Sequence, residues 1–509
     1  MTKNAWVLIA SILASSMAFI DGSALNVAIP SLQKAFQATG GDILWILNGY
    51  FLMLAAFILP AGALGDKLGR KKVFMAGIAL FMMASLACGC SWNVESLIIA
   101  RIIQGLGGAL MIPGSLALIN ATVTESERGK AIGTWSAVTT LVTICGPILG
   151  GILADFHLWR AVFFLNLPLG MIALLVLSTQ VPETRNETDS GPIDFAGAFL
   201  LATGLGALSY GILEIPDLGF DHVQIRIALT TGVALLLGFI FHQAQSKNPM
   251  MPLHLFHNTS FLGSNLLTLF LYGALSAGMF FLSLNMIQVQ GYSQTIAGFS
   301  TIPFALLLST LSRRMGGLSD RFGPRLFLTV GPAIVGIGFI LLSLPGQTHG
   351  AVDYWTSFFP GIMVFGFGMA ITVVPLTTTV LASAGQNYSG TASGVNNAVS
   401  RIAAVLAIAA LGAIALSSFQ SNLEKHFKPI PLTPSMQGLL RHESGKMAAT
   451  PIPSGLTTAV QKQVHRSIHQ SFIQTYQLIM LICAGLAGLS AVMAFLMVGN
   501  PKQGSELYE

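Results

Sequence analysis

The chain has 509 residues; 53% are hydrophobic and only 9% are charged, and the mean hydropathy is +0.71. Soluble domains carry about 25% charged residues, so this composition excludes an ordinary soluble globular protein and points to one whose solvent is lipid, where charge is costly. The formal net charge of +5 is too modest to be a nucleic-acid footprint.

A helix crossing the hydrocarbon needs about 20 mostly apolar residues. Such runs lie at roughly 6–29, 44–64, 73–91, 97–119, 131–153, 161–181, 195–214, 225–243, 261–286, 297–313, 326–344, 356–380, 395–417 and 474–498, about fourteen spans in all. The first, from Trp6 to Ile29, is too long for a signal-peptide core and lacks an A-x-A-like cleavage site, so it reads as a retained membrane helix.

One short pattern occurs twice. Gly62-x-Leu64-x-Asp66-Lys67-x-Gly69-x-Lys71, with Arg70 inside it, follows the second span. Gly316-x-Leu318-x-Asp320-Arg321-x-Gly323-x-Arg325 follows the tenth, and the same 254-residue offset separates Gly62 from Gly316 and Asp66 from Asp320. Internal repeats are the signature of secondary-transporter folds. With six-helix halves the second copy would follow the eighth span, so two additional helices stand between the halves. The expected organisation is a six-helix bundle over 1–185, a helix pair over 186–250, and a second six-helix bundle over 251–509.

Lys and Arg in the short loops set the orientation. Lys3, Lys67, Arg70, Lys71, Lys72, Arg128, Lys130, Arg185, Lys247, Arg313, Arg314, Arg321, Arg325 and Lys502 share one side, against Lys34, Arg160 and Arg226 on the other. The first side reads as cytoplasmic, with both termini on it. The polar, Pro-containing segment 418–473 is then external, and its last part, Leu456–Gln474, suits an amphipathic surface helix.

Several chemistries have no sequence support. The chain has no P-loop, no Gly-x-Ser-x-Gly elbow and no His-Glu-x-x-His. Cys88, Cys90, Cys145 and Cys483 sit in apolar segments without metal-ligand spacing. The histidines lie in loops or at helix ends and read as solvated or interfacial. No enzyme activity, metal or cofactor is expected, and transport would draw on an ion or solute gradient.

Asp21 is the one carboxylate well inside a span. Burial raises a carboxylate's pKa towards neutrality, which suits proton coupling. Its depth is about 12 Å at ~1.5 Å per residue, and Arg101, on a span running the opposite way, lies roughly 9 Å down. The two therefore share a depth, although structural hydrogen bonding is an alternative for each. Arg401, near the apparent start of the thirteenth span, reads as a side chain that snorkels to the interface. Gly146-Pro147-Ile148-Leu149-Gly150-Gly151 can bend a helix or seal it against a partner. In the repeated loops the basic residues satisfy the topology rule, but Asp66 and Asp320 do not. They suggest gating contacts to a helix N-terminus or to an arginine such as Arg70 or Arg128.

These features resemble the major facilitator superfamily, specifically its fourteen-helix drug/proton antiporters. Five signatures stand in order: Asp21-x-Ser23-x-x-Asn26-Val27-Ala28-Ile29-Pro30, the loop Gly62–Lys72, Arg101-Ile102-Ile103-Gln104-Gly105-Leu106-Gly107-Gly108-Ala109, Gly146-Pro147-x-x-Gly150-Gly151, and Trp159-Arg160-x-x-Phe163-Phe164-x-Asn166-x-Pro168-x-Gly170. The resemblance implies an all-α membrane protein with two six-helix bundles, two linker helices and a central cavity that works by alternating access. It also implies a place in a bacterial cytoplasmic (inner) membrane. Asp21 and Arg101 would couple protons. Gly62, Asp66, Gly69, Arg70, Asp320, Arg321, Gly323 and Arg325 would gate.

Candidate cavity residues are Asn26, Asn48, Tyr50, Gln104, Trp135, Asn265, Tyr272, Asn285, Asn396 and Asn397. The second half carries no mid-depth acid, unlike relatives that take dications. The expected cargo is therefore a neutral, zwitterionic, anionic or singly cationic lipophilic molecule. The expected partners are that cargo, protons and the bilayer, and not nucleic acid; an envelope partner stays open. The leading expectation is a proton-coupled exporter. The alternatives are a dedicated metabolite or siderophore exporter, and a non-transporting membrane sensor or scaffold.

Overall fold

The computed structural model describes residues 3–184, 193–385, 388–430, 432–453 and 456–499, and among them regular structure is helical throughout. The side chains of Asp66 and Arg128, and residues Arg185 and Lys502 as a whole, lie outside the described residues. Among the described residues thirteen helices are long and apolar enough to cross a membrane. The helix Glu125–Asp155, apolar from Leu141, adds the fourteenth.

In chain order they are α1 (Lys3–Phe36), α2 (Gly40–Leu68), α3 (Arg70–Gly89), α4 (Val94–Thr122), α5 (Glu125–Asp155), α6 (Ala161–Gln180), α7 (Phe195–Leu213), α8 (Val223–Gln245), α9 (Thr259–Gln288), α10 (Gln294–Phe322), α11 (Pro324–Ser343), α12 (Phe359–Ala384), α13 (Ser389–Phe427) and α14 (Thr458–Met497). Polar caps start several of them. Thr39 and Asp42 form a capping box on α2, and Asn93 and Ser96 form one on α4. The helices are longer than the apolar runs because their polar end turns continue the backbone ladder outside the hydrocarbon.

The two repeated loops are mostly helix. Asp66 and Lys67 belong to the last turn of α2, and Asp320 and Arg321 to the last turn of α10. Each reversal is made by a single glycine, Gly69 with φ 109° and Gly323 with φ 85°. A side chain at either φ would be strained. The equal geometry at equivalent positions is what the repeat encodes.

Helices α1–α6 pack among themselves, as do α9–α14, and the two sets meet along α1/α9, α5/α10 and α2/α13. Helices α7 and α8 form a hairpin whose α7 lies on both α2 and α13. Leu52, Ala55 and Ala56 of α2, Leu201 and Leu205 of α7, Phe239 of α8 and Val405 of α13 make one buried cluster there. The extra pair is thus fastened across the seam between the halves.

Segment 418–473 differs from the sequence reading. No separate surface helix spans Leu456–Gln474. Its residues from Thr458 belong to α14, a continuous 40-residue helix. Phe472 meets Phe419 of α13 with ring centroids 6.4 Å apart, and His426 Nδ1 lies 2.9 Å from Ser471 Oγ. The amphipathic pattern arose because α14 packs one face on α13 beyond the apolar run. Between them lie a short helix, Pro434–Glu443, and a 3-10 turn, Ser444–Ala449.

Asp194 ties the linker hairpin at its open end. Its carboxylate accepts from the Gly197 amide at 2.8 Å and from Gln243 Nε2 at 2.5 Å, and His242 Nε2 lies 2.7 Å away. Burial pushes its carboxyl upward, but the Gly197 amide, Gln243 and His242 outweigh it and hold Asp194 below the usual carboxylate range. Such a group stabilises above its unfolded pKa, ~3.9, and the gain is lost as pH falls through the lower folded value. Asp194→Ala should cost about 1–2 kcal/mol of local stability at neutral pH. Hydrogen exchange at the start of α7 should show wild type more protected at neutral pH and the two proteins converging near about pH 3. A pH-independent difference would refute the carboxylate's role.

Candidate functional site

Asp21 of α1 and Arg101 of α4 meet in the interior of the first bundle. Arg101 Nη1 donates to Asp21 Oδ2, with both side chains essentially without solvent exposure, 1% and 0%. Gln104, one turn after Arg101, accepts from Arg101 Nη1 at 2.7 Å and donates to Asp21 Oδ1 at 2.9 Å. The three side chains form a closed ring. Further bonds extend it: Gln104 Nε2 to Ser85 Oγ of α3 at 3.4 Å, Asn166 Nδ2 of α6 to Ser85 Oγ at 2.9 Å, and Ser85 Oγ to the Phe163 carbonyl at 2.8 Å. Arg101 Nε reaches the Ile46 carbonyl of α2 at 3.4 Å, and its guanidinium lies 4.4 Å from the Tyr50 ring centre. Five helices therefore converge on one polar knot. The glycines after Arg101 permit it, because a Cβ on Gly105 would collide with the Tyr50 carbonyl oxygen, and one on Gly107 would press on the Phe81 backbone.

Beside this knot, between the two halves, is a cavity of about 410 Å³, a size that suits a small-molecule ligand. Gly22, Ser23 and Asn26 of α1, Tyr50 of α2, Pro147 of α5 and Arg401 of α13 line it together with apolar side chains of α9 and α10. Tyr50 is common to both sites: it borders the cavity and covers Arg101.

One face of the cavity is sealed. Gly146 and Gly150 press α5 onto α1, where a Cβ would strike Ser23 or the Ala24 backbone. Gly151 meets the Gln294 carbonyl at the start of α10, and Gly298 meets the Pro147 carbonyl. Asp155 accepts from the Gln294 and Thr295 amides at 3.0 and 2.9 Å, capping α10 from the other half. Ser31 bonds Gln294 at 3.0 Å, and Gln33 accepts from Gln288 Nε2 at 2.8 Å and donates to the Lys446 carbonyl at 3.1 Å. The described hydrogen bonds between the halves all lie on this face, away from the Gly69 and Gly323 turns.

The predicted residues distribute unevenly. Of the cavity candidates, Asn26 and Tyr50 line the cavity. Gln104 belongs to the polar knot. Trp135 Nε1 donates to Ser15 Oγ at 3.0 Å, joining α5 to α1. Asn396 Nδ2 donates to Asn265 Oδ1 at 3.1 Å and Thr268 Oγ1 at 2.7 Å, joining α13 to α9. Asn397 is exposed and bonds its own helix. The side-chain amides of Asn48 and Asn285 are buried without hydrogen-bond partners among the described residues. Tyr272 neighbours Arg401 electrostatically without lining the cavity.

Of the gating residues, Arg70 donates its amide to the Thr184 carbonyl at 2.8 Å, and Lys71 donates its amide to Glu183 Oε1 at 3.0 Å. Glu183 thus supplies a side-chain acceptor at the start of α3, and the sequence reading did not single it out. Asp320 is exposed, its side chain without a hydrogen bond among the described residues, and Arg325 lies 4.6 Å over the Phe495 ring. The contacts of Arg70 and Lys71 with residues 183 and 184 stay within the first half, and that of Arg325 with Phe495 stays within the second.

Arg401 is the substantive correction. Helix α13 begins at Ser389, not near 395, which puts Arg401 twelve residues in, roughly 18 Å from the helix start. It borders the cavity rather than the interface. The Gly-, Ser- and Asn-rich opening turns of α13 kept the apolar run from showing its true start.

The sequence profile of the Major Facilitator Superfamily matches residues 11–408. The chain belongs to the major facilitator superfamily. Among relatives, it is 32% identical over 423 residues to the multidrug resistance protein Stp of Mycobacterium tuberculosis, covering 83% of this chain and 78% of that one. It is 28% identical over 487 residues to the tetracenomycin C resistance and export protein of Streptomyces glaucescens, covering 94% and 88%. A solved bacterial homolog of the human lysosomal transporter Spinster superposes with TM-score 0.63 at 18% identity, covering 98% of this chain and 99% of that one. As a member of this superfamily the chain is a multi-pass membrane protein of a transporter family.

Asp155 makes the charged part of the sealed face, and each bond to a charged group is worth roughly 1.5–3 kcal/mol. Asp155→Ala should favour opening on that face. With Val27, a cavity residue, replaced by cysteine in a protein lacking the native cysteines, impermeant maleimide should label the Asp155→Ala form roughly tenfold faster. Equal labelling would show that the cap does not hold the face shut.

Proposed function

We propose that the protein is a proton-coupled exporter of lipophilic small molecules across a bacterial cytoplasmic membrane, with Asp21 and Arg101 as its coupling pair. The observation that carries this reading is the closed Asp21–Arg101–Gln104 ring, separated from the cavity by Tyr50. The export and resistance functions in the relatives' names support the direction of transport.

The chemistry follows from charge balance. While Asp21 is ionised, Arg101 is neutralised and the ring is closed. A proton on Asp21 removes that compensation and leaves a buried guanidinium whose remaining partners are Gln104, the Ile46 carbonyl and the Tyr50 ring. Losing one member of a buried pair costs about 3–5 kcal/mol. That is enough to shift a two-state equilibrium between closed faces. By the distribution of Lys and Arg, the turns at Gly69 and Gly323 lie in the cytoplasm, both termini with them. The sealed face is then external, and the cavity takes cargo from inside.

Asp21→Asn tests the assignment. In proteoliposomes, dye efflux driven by an imposed pH gradient should fall to background, while exchange of dye for dye without a gradient persists. Persistent exchange shows that the variant folds and alternates. Gradient-driven efflux at the wild-type rate would remove Asp21 from coupling.

A further inference from the structure

Arg401 has a surplus of donors and nothing to give them to. A guanidinium carries five N–H groups and stays charged. Among the described residues none accepts a hydrogen bond from Arg401, no carboxylate pairs with it, and no aromatic ring lies under it. Its Nε is fully buried without a partner. The other intramembrane arginine, Arg101, has a carboxylate partner in Asp21 and further acceptors in the Gln104 amide oxygen and the Ile46 carbonyl. Leaving a cation unpaired at this depth is costly, and such residues mark ligand paths.

The surroundings repeat the imbalance. Tyr50 of α2 and Tyr272 of α9 are the titratable groups that act on Arg401, and both are phenols. The one buried carboxylate nearby, Asp21, is already used by Arg101 and Gln104. The Asn26 amide lines the same cavity, its side chain without a hydrogen bond among the described residues. The hydroxyls of Ser23, Thr143, Ser276 and Thr301, also in the lining, donate to carbonyls of their own helices, and the described lining contains no carboxylate, so the fixed positive charge of Arg401 is the one charge it presents. Phe51, Met279, Phe304 and Leu308 supply apolar surface to the same lining.

We propose that this cavity binds lipophilic monoanions, an aromatic or alicyclic body bearing one carboxylate or phenolate, with Arg401 as the anion-binding residue. The inference rests on the exporter reading and narrows its substrate class. The carboxylate meets the guanidinium in the bidentate geometry that arginine favours, and the body lies on the apolar walls. A cationic cargo is disfavoured because its charge would face Arg401 with no acid to offset it.

The test uses three fluorescent probes that share one body: pyrenebutyrate, pyrenebutanol and pyrenebutyl-trimethylammonium. Binding is titrated on the purified full-length protein in nanodiscs, with empty nanodiscs as blank. Wild type should bind pyrenebutyrate at least about tenfold more tightly than the ammonium analogue, the scale of one charged hydrogen-bonded contact. Arg401→Gln should weaken pyrenebutyrate about tenfold more than it weakens pyrenebutanol, and Arg401→Lys should restore part of the loss. Wild type binding the ammonium probe as tightly as the anion would overturn the proposal without recourse to any variant. So would an Arg401→Gln protein that keeps the anion preference. The export reading is decided separately: if an imposed pH gradient moves none of the probes in proteoliposomes, that reading fails, whatever the binding preference.

Discussion

A carboxylate and a guanidinium sealed from water at the centre of one bundle govern the rest of this structure. Taking the two ions out of water costs several kcal/mol each, and their attraction offsets this only when the remaining lone pairs and protons are also satisfied. Here Gln104 and the Ile46 carbonyl supply such partners, with links onward to Ser85 and Asn166. Helices α1, α2, α3, α4 and α6 must hold register for every bond to form. The same knot that orders the first half is also its most sensitive point, because a single proton removes the compensation.

That sensitivity has consequences only if the halves have two packings of similar energy. Lipid supplies no hydrophobic drive between helices, so association rests on close packing and on polar contacts. The sealed face uses both. Gly146, Gly150, Gly151 and Gly298 bring three helices to backbone contact, and Asp155, Ser31 and Gln33 add hydrogen bonds at the rim. The face with the Gly69 and Gly323 turns has no described hydrogen bond between the halves. This asymmetry fits one of two alternating states. The linker hairpin lies across the seam, where α7 touches both α2 and α13, so any change of packing between the halves has to be accommodated at that cluster.

Much of this was legible in the sequence for stated reasons. The repeat predicted two equivalent turns, and the positive φ of Gly69 and Gly323 is why glycine recurs there. The depths of Asp21 and Arg101 followed from helical rise, since a straight helix converts residue number into distance. Contact between them did not follow, because rotation about the helix axis is set by packing on neighbours. The asparagines show the same limit. Asn396 and Asn265 looked like cavity residues by type, yet they face each other across a helix interface. Hydropathy also misplaced ends: α13 and α14 extend beyond their apolar runs because helix–helix packing, not lipid, stabilises their outer turns. That error carried Arg401 to the interface and made the outer part of α14 look like a separate surface helix.

The placement of Arg401 bears on energy as well as recognition. Asp21 and Arg101 cancel, so the empty cavity keeps one net positive charge at its wall. An anion seated there makes the loaded site neutral, which lowers the cost of moving it between the faces. Its exit and a proton's arrival then carry charge in the same direction. For one anion exchanged against one proton, two charges cross with the membrane field, each worth about 2.3 kcal/mol per 100 mV. A monocation exchanged for one proton would cross with no net charge and draw on the pH difference alone. On the anion reading, the arginine that selects the cargo also lets the membrane potential contribute to its expulsion.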